Sequence, residues 1–90
     1  MDDADMRLDG NAAAGDLAEI FHAEMTTAVG VCATCGAEGA LGATMVYDRA
    51  PGTVIRCPRC TAILICIVHT RDRLLVDVAG VRRLEVERPV

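Results

Sequence analysis

The chain contains no tryptophan and no lysine, and its only aromatic residues are Phe21 and Tyr47. Large rings bury the most area per residue, so a 90-residue chain nearly without them must build its interior from aliphatic side chains that each bury little. Hydrophobic residues reach 52%, but alanine and valine supply much of that share, and such a core is marginal without a staple. No apolar run can cross a bilayer: the longest, Ala62-Ile63-Leu64-Ile65-Cys66-Ile67-Val68, is far short of the roughly 20 residues a spanning helix needs. The chain begins Met1-Asp2-Asp3-Ala4-Asp5 without the early apolar run of a secretory signal, and its cysteine count of five is odd. Both features argue against a disulfide framework and lead us to expect a reducing, cytoplasmic location. No Gly-rich phosphate loop and no Ser/His/Asp set stands out, so the commonest enzyme signatures are missing.

What the sequence does have is two cysteine pairs, Cys32-Ala33-Thr34-Cys35 and Cys57-Pro58-Arg59-Cys60, separated by 21 residues. Each CxxC can fold as a tight turn whose N–H groups point at the two sulfurs and answer part of their charge. Gly36 suits the residue that leaves such a turn, where φ > 0 is often required, and Pro58 suits a first turn corner because its φ is fixed. One pair alone would be weak evidence, and the alternatives to a metal are a thioredoxin-like dithiol or unrelated buried cysteines. Two pairs with strand-like sequence between them predict a tetrathiolate site in which Cys32, Cys35, Cys57 and Cys60 hold one Zn²⁺. Four cysteines close the coordination sphere, whereas a catalytic zinc keeps a position open, so we expect no enzyme. Such a site couples apparent binding energy on the order of 10 kcal/mol to folding and supplies the missing staple.

The remaining candidates for chemistry have plainer roles. Cys66 lies inside an apolar run, where a free cysteine packs as a small hydrophobe, so we expect it to fill space. His22 and His69 are not needed by a site that already has four ligands. Arg56 and Arg59 flank the second pair and are placed to offset the negative charge of bound thiolates.

Formal net charge is −4, and it is unevenly spread. Residues 1–40 carry eight acids against Arg7 alone, while residues 41–90 carry five acids against eight arginines. A basic half could bind nucleic acid, but the whole molecule is acidic and offers Tyr47 as its one stacking platform in that half. We therefore expect a protein partner rather than nucleic acid or membrane; the sequence does not give an oligomeric state.

Along the chain, residues 1–8 read as an acidic arm. Leu17, Ile20, Phe21 and Met25, with Ala13 and Ala14, recur at the spacing of one helical face, predicting an amphipathic helix over 11–25 capped by Asp9 or Asn11. Gly15 weakens this helix by about 1 kcal/mol relative to alanine, so it must dock on something. Strands are predicted at 26–31, 41–47, 53–56, 62–68, 73–78 and 81–87, with a type II turn at Ala50-Pro51-Gly52-Thr53 and a further turn over 69–72. The run 62–68 is apolar on both alternating faces and reads as a central strand covered on both sides, with the helix as one cover. Pro89 ends the pairing. The predicted architecture is a small α+β fold: an acidic arm and helix over 1–26, and a zinc-ribbon antiparallel sheet over 27–90, in a single folding unit.

Leu8-Asp9-Gly10-Asn11, Cys32-x-x-Cys35-Gly36, Arg49-Ala50-Pro51-Gly52, Cys57-Pro58-x-Cys60 and Val81-Arg82-x-Leu84 together resemble a small bacterial zinc-ribbon-like family, a domain of unknown function, over nearly the whole chain. The resemblance implies a fold and a metal rather than an activity, and a protein partner for which a redox enzyme is a candidate. More distantly, CxxCG followed by CPxC is similar to the rubredoxins, which implies iron at the same four ligands and single-electron transfer to an oxidoreductase. Thr61 departs from that pattern, which has glycine after the second pair, and the rubredoxin aromatic core is missing. The leading reading is a non-catalytic zinc-ribbon interaction or accessory protein. An iron electron carrier and a small nucleic-acid-binding ribbon are the alternatives.

Overall fold

The computed structural model describes residues 7–21, 24–49 and 52–87. The element order is β1 (Arg7–Asp9), a 3-10 turn (Gly10–Ala13), α1 (Ala14–Phe21), β2 (Val29–Cys32), β3 (Glu38–Ala40), a second 3-10 turn (Leu41–Ala43), β4 (Met45–Arg49), β5 (Gly52–Arg56), β6 (Ile63–His69), β7 (Leu74–Asp77) and β8 (Val81–Glu85). All strand pairs are antiparallel. The fold is α+β, as expected, but the strands form two sheets rather than one: a five-stranded sheet in the order β1-β4-β5-β6-β7 and a three-stranded sheet in the order β3-β2-β8.

The larger sheet grows from the β4–β5 hairpin, which pairs Met45 with Arg56 and Val46 with Ile55. The turn predicted at Ala50-Pro51 lies outside the described residues, as do most of the acidic arm, His22 and Pro89. Along β6 the two predicted apolar faces behave differently. Ile65 and Ile67 are fully buried; on the opposite face Leu64 is buried at 6% exposure while Cys66 and Val68 are half-buried, and Ile63 is exposed. The strand is internal to its sheet, yet its second face is closed only at Leu64 and half-open from Cys66 to Val68; a continuous apolar run cannot distinguish these cases. Cys66 accordingly sits on a half-open face across from Val54, not among the fully buried residues.

The helix closes the buried face. Asp9 caps the preceding 3-10 turn, its carboxylate accepting from the Asn11 N–H at 3.0 Å. The α-helix proper is shorter than predicted, and residues 24–25 are not helical. Leu17 and Met25 join Val46, Ile55, Ile65 and Ile67 in one buried cluster, with Ile20 and Phe21 packed at its margin. Two polar contacts pin the helix to the sheet: Thr53 Oγ1 donates to Asp16 Oδ2 at 3.2 Å, and His69 Nε2 lies 3.4 Å from Asp16 Oδ1. His69 is thus a surface residue that links β6 to the helix.

The smaller sheet is where the predicted strand bounds shift most. Residues 26–28 form a turn, and the segment read as a strand from Leu41 begins as a 3-10 turn. The Leu41 N–H donates to the Ala28 carbonyl and the Gly42 N–H to that of Thr26, each at 2.9 Å, while the Leu41 side chain is 1% exposed. Gly10 packs so tightly here that a Cβ would lie 1.7 Å from the Leu41 carbonyl oxygen. β7 and β8 are consecutive but do not pair. β7 completes the larger sheet and β8 the smaller one, the chain changing sheets through a turn in which the Asp77 carboxylate accepts from the Ala79 N–H at 2.9 Å. At that crossing Gly80 lies against β6: a Cβ would meet the Ile63 carbonyl oxygen at 1.8 Å.

Candidate metal centre

Cys32 ends β2, and Cys57 directly follows β5, so each of the first cysteines hangs from the end of a strand in a different sheet. The turns that follow them are built alike. In the first, the Gly36 N–H donates to the Cys32 carbonyl and the Cys32 N–H to the Ala37 carbonyl; in the second, Thr61 and Cys57 make the corresponding bonds to Cys57 and Ala62, all four at 2.9 Å. Each loop thereby folds its backbone around its own pair of sulfurs.

The similarity extends to backbone conformation, which the sequence reveals at only one of the two positions. Gly36 has φ 77°, in the left-handed region expected of it, and Thr61 occupies the same place in the second loop with φ 66°. A β-branched residue is strained there. Thr61 is held by its neighbours: its hydroxyl donates to the Cys60 carbonyl at 2.6 Å, and its own carbonyl accepts from Arg56 Nη1 at 2.9 Å. The signal that could have found this strain is the alignment of Cys-x-x-Cys-Gly-Ala with Cys-x-x-Cys-Thr-Ala.

The structure brings all four predicted ligands together. Their sulfurs lie within 4.8 Å of one another, with Cys32–Cys60 and Cys35–Cys57 separations of 3.7 Å. A disulfide would need about 2.05 Å, whereas a tetrahedron with metal–sulfur bonds of about 2.3 Å has sulfur–sulfur edges of about 3.8 Å. Donor type, number and spacing therefore fit one thiophilic metal ion. Cys32 and Cys57 are buried, Cys60 is half-buried and Cys35 is exposed, so the centre has an inner side against the core and an outer side at the surface.

The thiols differ in acidity for local reasons. The Cys35 N–H, and to a lesser degree that of Thr34, draw the Cys32 thiol down to about 6 against the opposing effect of burial. At Cys57 burial is the largest influence and acts upward, but the N–H groups of Cys60 and Arg59 together leave it lowered; the Arg59 N–H lies 3.4 Å from the sulfur. At Cys60 the Ala62 N–H acts downward, but burial and the three neighbouring sulfurs raise the thiol to about 11. Negative charge is therefore accepted readily at the first sulfur and resisted at the last, which is the condition a bound cation relieves.

Arg56 and Arg59 take different positions from the shared role expected of them. The Arg56 guanidinium bonds the loop carbonyl of Thr61 and lies over the Tyr47 ring, 5.8 Å from its centroid. Arg59 contributes its backbone N–H to Cys57, and its side chain is exposed. Among the described residues no other cluster of His, Cys, Asp or Glu is arranged to hold a metal, and no helix is long and apolar enough to cross a membrane.

Comparison with known proteins adds one positive finding: a family model described as a family of unknown function (DUF6510) matches residues 2–89. No curated protein and no solved structure matches the chain.

Proposed function

The chain belongs to the family of unknown function DUF6510, and from that premise we propose that it is a non-catalytic zinc-ribbon protein serving as an interaction or accessory module in a reducing, cytoplasmic setting. The observation that carries this reading is the closed set of four sulfurs, all within 4.8 Å of one another and two pairs at 3.7 Å, which suits a tetrahedral ion and leaves no position for substrate or water. Zn²⁺ is the ion this donor set suits best, and its structural work is to join the end of β2 to the end of β5. Domains of ordinary size are stable by only about 5–15 kcal/mol, and a structural zinc contributes on the order of 10 kcal/mol, so folding depends on the metal. An interaction role draws support from the half-open sheet face around Val54, Cys66 and Val68. Nucleic-acid binding is disfavoured further because Arg56 already covers one face of Tyr47.

Exposure of Cys35 favours a second reading, in which iron at the same sulfurs exchanges single electrons with a partner oxidoreductase at the outer side of the centre. Elemental analysis and the visible spectrum of freshly purified protein separate the two. One zinc per chain in a colourless sample is expected, and stoichiometric iron with visible absorption would replace zinc by the electron carrier. Circular dichroism then tests the structural role: verified metal removal by chelator should abolish the cooperative melt, and its full retention would refute that role.

A further inference from the structure

The five-stranded sheet ends at β7, and among the described residues no strand covers the outer edge of β7. Other sheet edges are short or guarded. β1 and β3 have three residues each, and β8 carries Arg82, Arg83 and Glu85, with Arg83 bridged to Glu38 at 3.4 Å and to Glu85 at 3.3 Å. β7 instead presents the apolar run Leu74-Leu75-Val76, with its one charge, Asp77, at the end of the strand, and Leu75 is 53% exposed and Val76 38% exposed. An apolar edge strand with free backbone groups is a template for another strand.

The hydrogen bonding of β7 indicates which strand would fit. Across the β6–β7 turn the Thr70 N–H donates to the Arg73 carbonyl at 2.9 Å, and the ladder continues with His69 opposite Leu74 and Val68 opposite Leu75. Backbone groups alternate along an antiparallel ladder, so those of Arg73, Leu75 and Asp77 turn toward β6, and those of Leu74 and Val76 face outward. A two-fold axis at Leu75 then sets Leu74 opposite Val76 of a second copy in a hydrogen-bonded pair, twice. It sets Leu75 against its own counterpart and Arg73 against Asp77 in close, non-hydrogen-bonded pairs. The sequence Arg73-Leu74-Leu75-Val76-Asp77 is complementary to itself in this one register: apolar meets apolar at three positions, and opposite charges meet at both ends.

We propose that β7 is a homodimer edge, pairing antiparallel with β7 of a second copy about an axis at Leu75 to make one continuous ten-stranded sheet. One strand pair buries less than the roughly 1,600 Å² of a standard interface, so the dimer is reversible and depends on concentration. This inference is independent of the metal's identity.

The test is sedimentation of the full chain under reducing conditions, from about 1 μM to about 1 mM. Wild-type mass should rise from 9.5 kDa toward twice that value. Val76→Pro removes an N–H that β6 does not use, and should remain folded but monomeric throughout the range. Arg73→Glu and Asp77→Arg each place like charges opposite one another in their own dimers, so each alone should be monomeric. Mixed one to one they restore both ion pairs and should form a heterodimer. A monomeric wild type at the highest concentration, a Val76→Pro protein that still dimerises, or a mixture of the two charge variants that stays monomeric would each overturn the proposal.

Discussion

Replacing Thr61 by glycine should stabilise the protein, against the usual effect of glycine substitution. Thr61 has φ 66° at the place where the first loop has Gly36 at φ 77°. Holding an L-residue in this region costs about 1–2 kcal/mol, and a β-branched side chain stands at the upper end of that range. Against the relief stand two losses. Glycine gives the unfolded chain more freedom, worth about 0.4–1 kcal/mol. The exposed hydrogen bond from the Thr61 hydroxyl to the Cys60 carbonyl, 2.6 Å long, also disappears; at the weak end of the scale it is worth about 0.5 kcal/mol. The balance favours glycine by about 0.5 kcal/mol, and for a domain of this size each kcal/mol corresponds to about 4–8 °C in Tm. Thr61→Gly is therefore expected to raise Tm by a few degrees. Gly36→Ala supplies the converse: no atom lies within 4 Å of the added Cβ, so its cost is purely conformational, and Tm should fall. Both melts are read at one fixed excess of metal, because ligand concentration itself moves Tm. A Tm lowered by Thr61→Gly, or unchanged by Gly36→Ala, would refute the argument that these two positions carry the same backbone strain.

Further outcomes follow from the packing and the thiol chemistry. Leu17 is 0% exposed between helix and sheet, so Leu17→Ala should cost about 2–5 kcal/mol in urea denaturation, and a loss near zero would mean that the helix does not close that face. Cys66→Ala, on the half-open face, should cost less than about 1 kcal/mol and leave metal content unchanged; loss of metal would show that the ligand set includes Cys66. Between about pH 6 and about pH 11, metal loading should release the Cys60 proton, whereas the proton released from Cys32 dwindles as pH rises above about 6. Affinity should thus rise with pH across that window and weaken further below about 6, where protons also compete for Cys32. Calorimetry in buffers of different ionisation enthalpy measures this release, and pH-independent binding would contradict it.

The sequence by itself determined the features whose causes are local. Two CxxC pairs define a four-sulfur set because Cys66 is the one cysteine outside them and each turn needs only its own few residues. The 3.6-residue spacing of Leu17, Ile20 and Phe21 marks a helix, and alternation around the β4–β5 hairpin marks its strands, since short-range periodicity reflects one buried face. The tertiary structure decided what depends on distant partners. Whether the second face of β6 is covered depends on what lies over Cys66 and Val68, and an apolar run does not encode that. Leu41 leaves the strand pattern because its N–H reaches the Ala28 carbonyl. β7 and β8 go to different sheets because Gly80 alone lets the chain pass against Ile63, a contact no periodicity records. The strain at Thr61, by contrast, is local in origin but hidden by residue type: threonine ordinarily avoids positive φ, and it adopts that value here because the Cys57 carbonyl and the Arg56 guanidinium, four and five residues back, hold its backbone on both sides.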